Sequence, residues 1–116
     1  MSKKLNFDKI YKGTAITGDE AVQLYDIVTV DGKSLDLHND LRNHSPDGFS
    51  WGYSGSGPAQ LSLAILMDFT NDKELSLMSY QNFKFDIISK LPMGQNFVLT
   101  GKQIAEWFVS KEMINI

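Results

Sequence analysis

The chain has 116 residues, 42% apolar and 22% charged, which is the composition of an ordinary soluble globule with room for one modest core. A net charge of −3, with lysines scattered from Lys3 to Lys111, argues against the clustered basic face that duplex DNA requires. The absence of cysteine removes disulfides and thiolate metal sites.

In chain order, residues 1–9 read as a polar lead-in to a single domain over 1–116. The opening MSKKLNFDKIYKG has no apolar block behind its basic residues, so no export signal is expected. No apolar run reaches the roughly 20 residues of a bilayer crossing. The expected location is therefore the cytoplasm, with no membrane partner.

A short strand is expected around Ile10 to Ile16, where β-branched and aromatic residues cluster about Gly13. A second is expected over Ala21 to Val30, with Val22, Leu24, Val28 and Val30 on one face, Asp26 being the exception there, and Tyr25, Ile27 and Thr29 on the other. Asp31-Gly32 suits a two-residue hairpin turn, so Lys33 to Leu35 should fold back as an antiparallel partner.

From Asp36 to Gly57 no periodicity is present and turn residues dominate, which predicts a long ordered loop. Phe49, Trp51 and Tyr53 alternate, so an extended course would put three rings on one side. Pro58 suits the first position of a helix capped by Ser56 or Gly57. The apolar residues from Ala59 to Phe69 surround that helix, which makes it central and buried. Asn71 with Glu74 forms a capping pattern for a second helix ending before Pro92, with a core face of Leu77, Tyr80, Phe83, Ile87, Ile88 and Leu91. Phe97 to Leu99 reads as a short extended piece. Thr100 and Gln103 then form a capping box, with Leu99 and Ile104 placed as a hydrophobic staple, for a last helix that buries Ile104, Trp107 and Phe108. Strands, long loop, two helices, extended piece and helix give an α+β fold: an N-terminal antiparallel hairpin or small sheet, then about three helices with a buried central one.

The stretch from Asp40 to Gly57 draws together the only arginine, Arg42, with His44, Trp51, four of the nine glycines and one proline, with a second, Pro58, immediately after it. The candidate binding residues are Asp40, Arg42, Asn43, His44, Trp51, Tyr53, Ser54, Gly55, Ser56 and Gly57. Arg42 offers a fixed fork of donors for a carboxylate or for loop carbonyls. Trp51 and Tyr53 could stack a base, although filling the space opened by glycines is the commoner use of such rings. Gly55 to Gly57 before a helix could gather amides around an anion, but the lysine and Ser or Thr of a phosphate loop are missing. SGSG is not a nucleophile elbow, and no histidine follows His44. Asp36, His38, Asp40 and His44 contain metal-ligand types without a second ligand cluster, so no metal is expected. No catalytic residue and no cofactor is assigned.

At RNHSPDGFSWGYSGSGPAQLSLAIL, Arg42 to Leu66, the chain resembles a family of small uncharacterised bacterial, archaeal and phage proteins known only as a domain of unknown function. The similarity takes in the Val30-Asp31-Gly32 turn, YQNFKFDIISKLP from Tyr80 to Pro92, and the Leu99-Thr100 helix start with Trp107. Ser50 and Ser54 stand where the resemblance leads one to expect an acidic residue and a glycine. The resemblance implies a fold unit and a focal region, and its phage and mobile-element relatives imply an accessory role acting on a host system. The expected function is a non-enzymatic binding module using the loop 40–57, with a protein partner. The alternatives are an enzyme or binder of a nucleotide or phosphorylated ligand, using Arg42, His44 and the Gly55–Gly57 amides, and a single-stranded nucleic-acid binder using Trp51 and Tyr53. Oligomeric state is not legible in the sequence.

Overall fold

In the computed structural model, described over residues 5–15, 27–45 and 48–113, β1 (Ile10–Thr14), β2 (Ile27–Val30), β3 (Lys33–Ser34) and β4 (Phe97–Thr100) form one antiparallel sheet in the order β3-β2-β1-β4. Three helices accompany it, α1 (Ser56–Thr70), α2 (Lys73–Asp86) and α3 (Gly101–Ser110), with a 3₁₀ turn at Ile88–Lys90 after α2. This is the expected α+β class. Asp31 and Gly32 both take positive φ, 50° and 84°, as the tight β2–β3 turn requires. The expected strand residues Ile16 and Ala21 to Asp26 lie outside the described residues, as do residues 1–4, Pro46 and Asp47.

Strand alternation gives the sheet two unlike faces. Tyr11, Gly13, Val28, Phe97 and Leu99 are buried, while Ile10, Lys12, Thr14, Ile27 and Val98 are exposed. The inner face joins α1, from which Leu61, Leu63, Ala64, Ile65 and Leu66 are all fully buried, and Phe83, Ile88, Ile104 and Phe108 in one core. Gly13 is a point of close approach: a Cβ there would overlap the Phe97 ring and lie 2.8 Å from the Trp51 ring. Gly13→Ala should therefore cost about 1–3 kcal/mol through overpacking. A chemical-denaturation midpoint equal to that of the wild type would show that the two rings yield freely.

Helix boundaries correct two expectations. The α1 N-cap is Gly55, so Pro58 is the third helical residue, and the first intrahelical bond runs from Ala59 N–H to Gly55 O (3.0 Å). Proline loses nothing there because no N–H in the first turn has an intrahelical acceptor. The cap of α2 is Asp72, whose side chain accepts from Leu75 N–H (3.1 Å). Asn71 instead closes α1 in the left-handed region, φ 49°, a conformation asparagine tolerates well. At α3 the capping box of Thr100 and Gln103 is present, and Leu99 and Ile104 are both buried.

Two polar clusters tie the layers together. Asp86 accepts from Trp107 Nε1 (2.9 Å) and Lys111 Nζ (2.8 Å), and these bonds hold its carboxyl below the usual carboxylate range. Tyr11, fully buried, donates to Asp68 Oδ2 (2.6 Å), which also receives Lys9 Nζ (2.8 Å). Burial first, and then the Asp68 carboxylate, raises the Tyr11 hydroxyl far above its ordinary value. A raised folded-state pKa means that the contribution is intact below the unfolded tyrosine pKa of about 10 and is lost as pH rises beyond it. Thermal melting of the wild type should fall through that alkaline range more steeply than that of Tyr11→Phe. Parallel pH profiles for the two proteins would rule this out.

Candidate functional site

The loop from Asp36 to Gly55 is fastened from beneath at several points. Gln60, fully buried on α1, accepts from the backbone N–H groups of His44 (2.7 Å) and Ser45 (3.1 Å) through Oε1 and donates through Nε2 to Leu37 O. One amide side chain thus replaces the ladder that an irregular segment lacks. Ser45 Oγ donates to Gly48 O (2.7 Å), and His44 Nε2 lies 2.8 Å from the Tyr80 hydroxyl. Further along, Gly52 N–H donates to Ile88 O (3.0 Å), and Trp51 Nε1 donates to Gln95 O (2.9 Å).

The three alternating aromatics do not share a side. Phe49 is 5% exposed and Trp51 1%, whereas Tyr53 is 44% exposed. The break comes at Gly52, whose φ of 87° turns the chain where a Cβ would strike the Met93 backbone at 2.5 Å. Trp51 packs edge-on against Phe97, with centroids 4.8 Å apart, and so has no open face on which a base could stack. Its ring is thus part of the core. Tyr53 lies over Gly55, where a Cβ would be 2.7 Å from its ring, and its hydroxyl meets Ser50 Oγ at 2.7 Å. Gly57 is buried against Ser50, whose Oγ occupies the place of a Cβ.

The remaining sequence-derived residues divide by exposure. Asp40, Arg42, Asn43, Ser54 and Ser56 are exposed, Gly55 is half-buried, and His44 is half-buried with its ring turned to Tyr80. Arg42 makes no hydrogen bond or ion pair with another described residue. His38 sits in a turn begun by Asp36, which its backbone N–H meets at 3.4 Å. Among the described residues no three acidic or histidine side chains gather as a metal site. The start of α1 has no side-chain cap and no acidic residue in its first turn.

Sequence reasoning missed Gln60 and Tyr80. The signal for Gln60 was present: a long polar side chain inside PAQLSLAIL, on a helix expected to be buried all round, must find partners within the protein. Tyr80 was read only as a core residue, and its hydroxyl serving His44 needed the fold.

Fold and loop together define a small α+β domain that presents an irregular but pinned segment over the buried start of its central helix. The chain belongs to the family of unknown function DUF6166, which matches residues 11–110. No curated protein and no solved structure matches it. No helix among the described residues is long and apolar enough to cross a membrane.

Proposed function

We propose that this protein is a non-enzymatic binding module whose partner is a protein recognised by the outward side of the loop 40–57. The observation that carries this reading is the division within the loop. His44, Ser45, Phe49 and Trp51 are engaged inward, while Arg42 and Tyr53 project outward, with Arg42 unengaged by any described residue. A segment already immobilised by folding loses little further entropy on binding. Arginine and tyrosine are also the side chains most often found at the energetic centre of protein interfaces. The resemblance to phage and mobile-element proteins supports an accessory role in the cytoplasm, acting on a host system.

The enzyme or nucleotide reading has one feature in its favour, the uncapped start of α1. It has less support because the His44 Nε2 that would move a proton is already engaged with Tyr80. The stacking reading keeps only Tyr53.

Arg42→Glu combined with Tyr53→Ala should preserve the near-ultraviolet circular dichroism and abolish capture of a cellular protein that the wild type retains. Capture of the same protein in equal yield by the double variant would sink the proposal. Binding of a nucleotide or single-stranded oligonucleotide with no protein captured would replace it with one of the alternatives.

A further inference from the structure

Lys84 is the one buried lysine or arginine among the described residues, 8% exposed, and it meets no carboxylate there. The more exposed Lys9 and Lys111 each hold one at 2.8 Å, on Asp68 and Asp86. Lys84 instead lies over the ring of its neighbour Phe85, with Nζ 4.3 Å from the centroid. On α2 the positions three and four residues away are Tyr80, Gln81, Ile87 and Ile88, none of them acidic. Asp86, two positions on, faces another side of the helix and is taken by Trp107 and Lys111.

The candidate loop is fastened on either side of this lysine, one turn before it where His44 meets Tyr80 and one turn after it where Gly52 N–H meets Ile88 O. The ammonium is not sealed from solvent, and the Phe85 ring beside it is 52% exposed. Its place in the last turn of α2 and the aromatic ring both favour a positive charge. Neither supplies the anionic acceptor that a charge withdrawn from bulk water ordinarily finds.

We infer that Lys84 receives a carboxylate from the protein partner, an Asp or Glu side chain flanked by an apolar residue that packs on Phe85. The inference rests on the reading that the loop 40–57 binds a protein, and it extends that surface onto α2. A buried stem holds the ammonium in one place, so pairing costs little of the side-chain entropy that weakens ion pairs between mobile surface groups. A phosphate, with its extra charge and three oxygens, is matched by several converging donors, whereas this ammonium has an aromatic ring at its side. Met78, two turns before Phe85 on the same side of α2, is 68% exposed, so the acid-binding point adjoins apolar surface. Arg42, two residues before the His44 anchor, is exposed and also without a carboxylate, which suits an acidic partner segment.

The probe is the peptide acetyl-Leu-Glu-Glu-Leu-amide, compared with its glutamine counterpart and with inorganic phosphate, titrated into the full chain while the lysine Hε–Cε and Phe85 ring NMR signals are followed. The glutamate peptide should shift the Lys84 and Phe85 signals to saturation and bind about tenfold or more tightly than the glutamine peptide, as a hydrogen bond to a charged group requires. Lys84→Met keeps the stem and removes the charge. It should leave Tm unchanged or raised, since no anion inside the fold is lost, and should abolish the preference for glutamate. Equal binding of the two peptides, saturation of the Lys84 signal by phosphate alone, or a Tm lowered by Lys84→Met overturns the inference. A captured protein lost by Arg42→Glu with Tyr53→Ala but kept by Lys84→Met ends this inference alone. One kept by that double variant but lost by Lys84→Met ends the loop reading alone.

Discussion

Replacing Gln60 with leucine is expected to destabilise the protein by roughly 3 kcal/mol or more, because three backbone groups, those of Leu37, His44 and Ser45, lose their partner at once. Each stranded buried group costs about 1–3 kcal/mol, and the added apolar surface of leucine offsets only part of that. Against a typical total stability of about 5–15 kcal/mol, the loss should lower Tm by about 10 °C or more. Its locality is the more specific expectation. Amide exchange at His44 and Ser45 should speed up before the exchange of α1 itself changes, since the glutamine joins the loop to a helix that is otherwise held by apolar packing. An unchanged Tm with retained protection at His44 and Ser45 would mean that the loop is held by something other than Gln60.

Trp51→Ala should be as severe or worse. It removes a fully enclosed ring set against Phe97 and Gly13 and the indole's hydrogen bond to the Gln95 carbonyl. Such truncations cost about 3–5 kcal/mol where neighbours cannot collapse into the space. Here one neighbour is a glycine with no side chain to move in. Tyr53→Ala, two residues on, should cost about 1 kcal/mol or less, because its ring is 44% exposed and its bond to Ser50 is at the surface. Urea midpoints of the two variants separate them. If Tyr53→Ala were the more damaging, the assignment of Trp51 to the core and Tyr53 to the exposed side of the loop would be reversed.

These two aromatics also mark how far the site could be read in advance. Alternation of Phe49, Trp51 and Tyr53 holds only while the chain stays extended. The left-handed φ at Gly52 is set by the approach of Met93, more than 40 residues away in sequence. The same limit applies to the helix starts. Asn71 and Asp72 are both capping residues, and which one ends α1 and which begins α2 depends on how the two helices meet. At Gly55-Ser56-Gly57 no side chain marks the first helical residue. By contrast, the Thr100–Gln103 capping box and the Asp31-Gly32 turn are complete within four residues, and both formed as their local chemistry requires.

The sequence by itself determined the α+β class, the order of the elements, the burial of the helix after Pro58 and the stripe of Ile104, Trp107 and Phe108, because periodicity, turn chemistry and capping act over a few residues. Tertiary structure alone decided that Phe97–Thr100 joins β1 as an edge strand, that Gln60 and Tyr80 hold the loop, and that Arg42 and Tyr53 face outward while Trp51 does not. Those outcomes depend on which distant backbone groups and rings come to lie within hydrogen-bond or van der Waals range, and no local pattern encodes that.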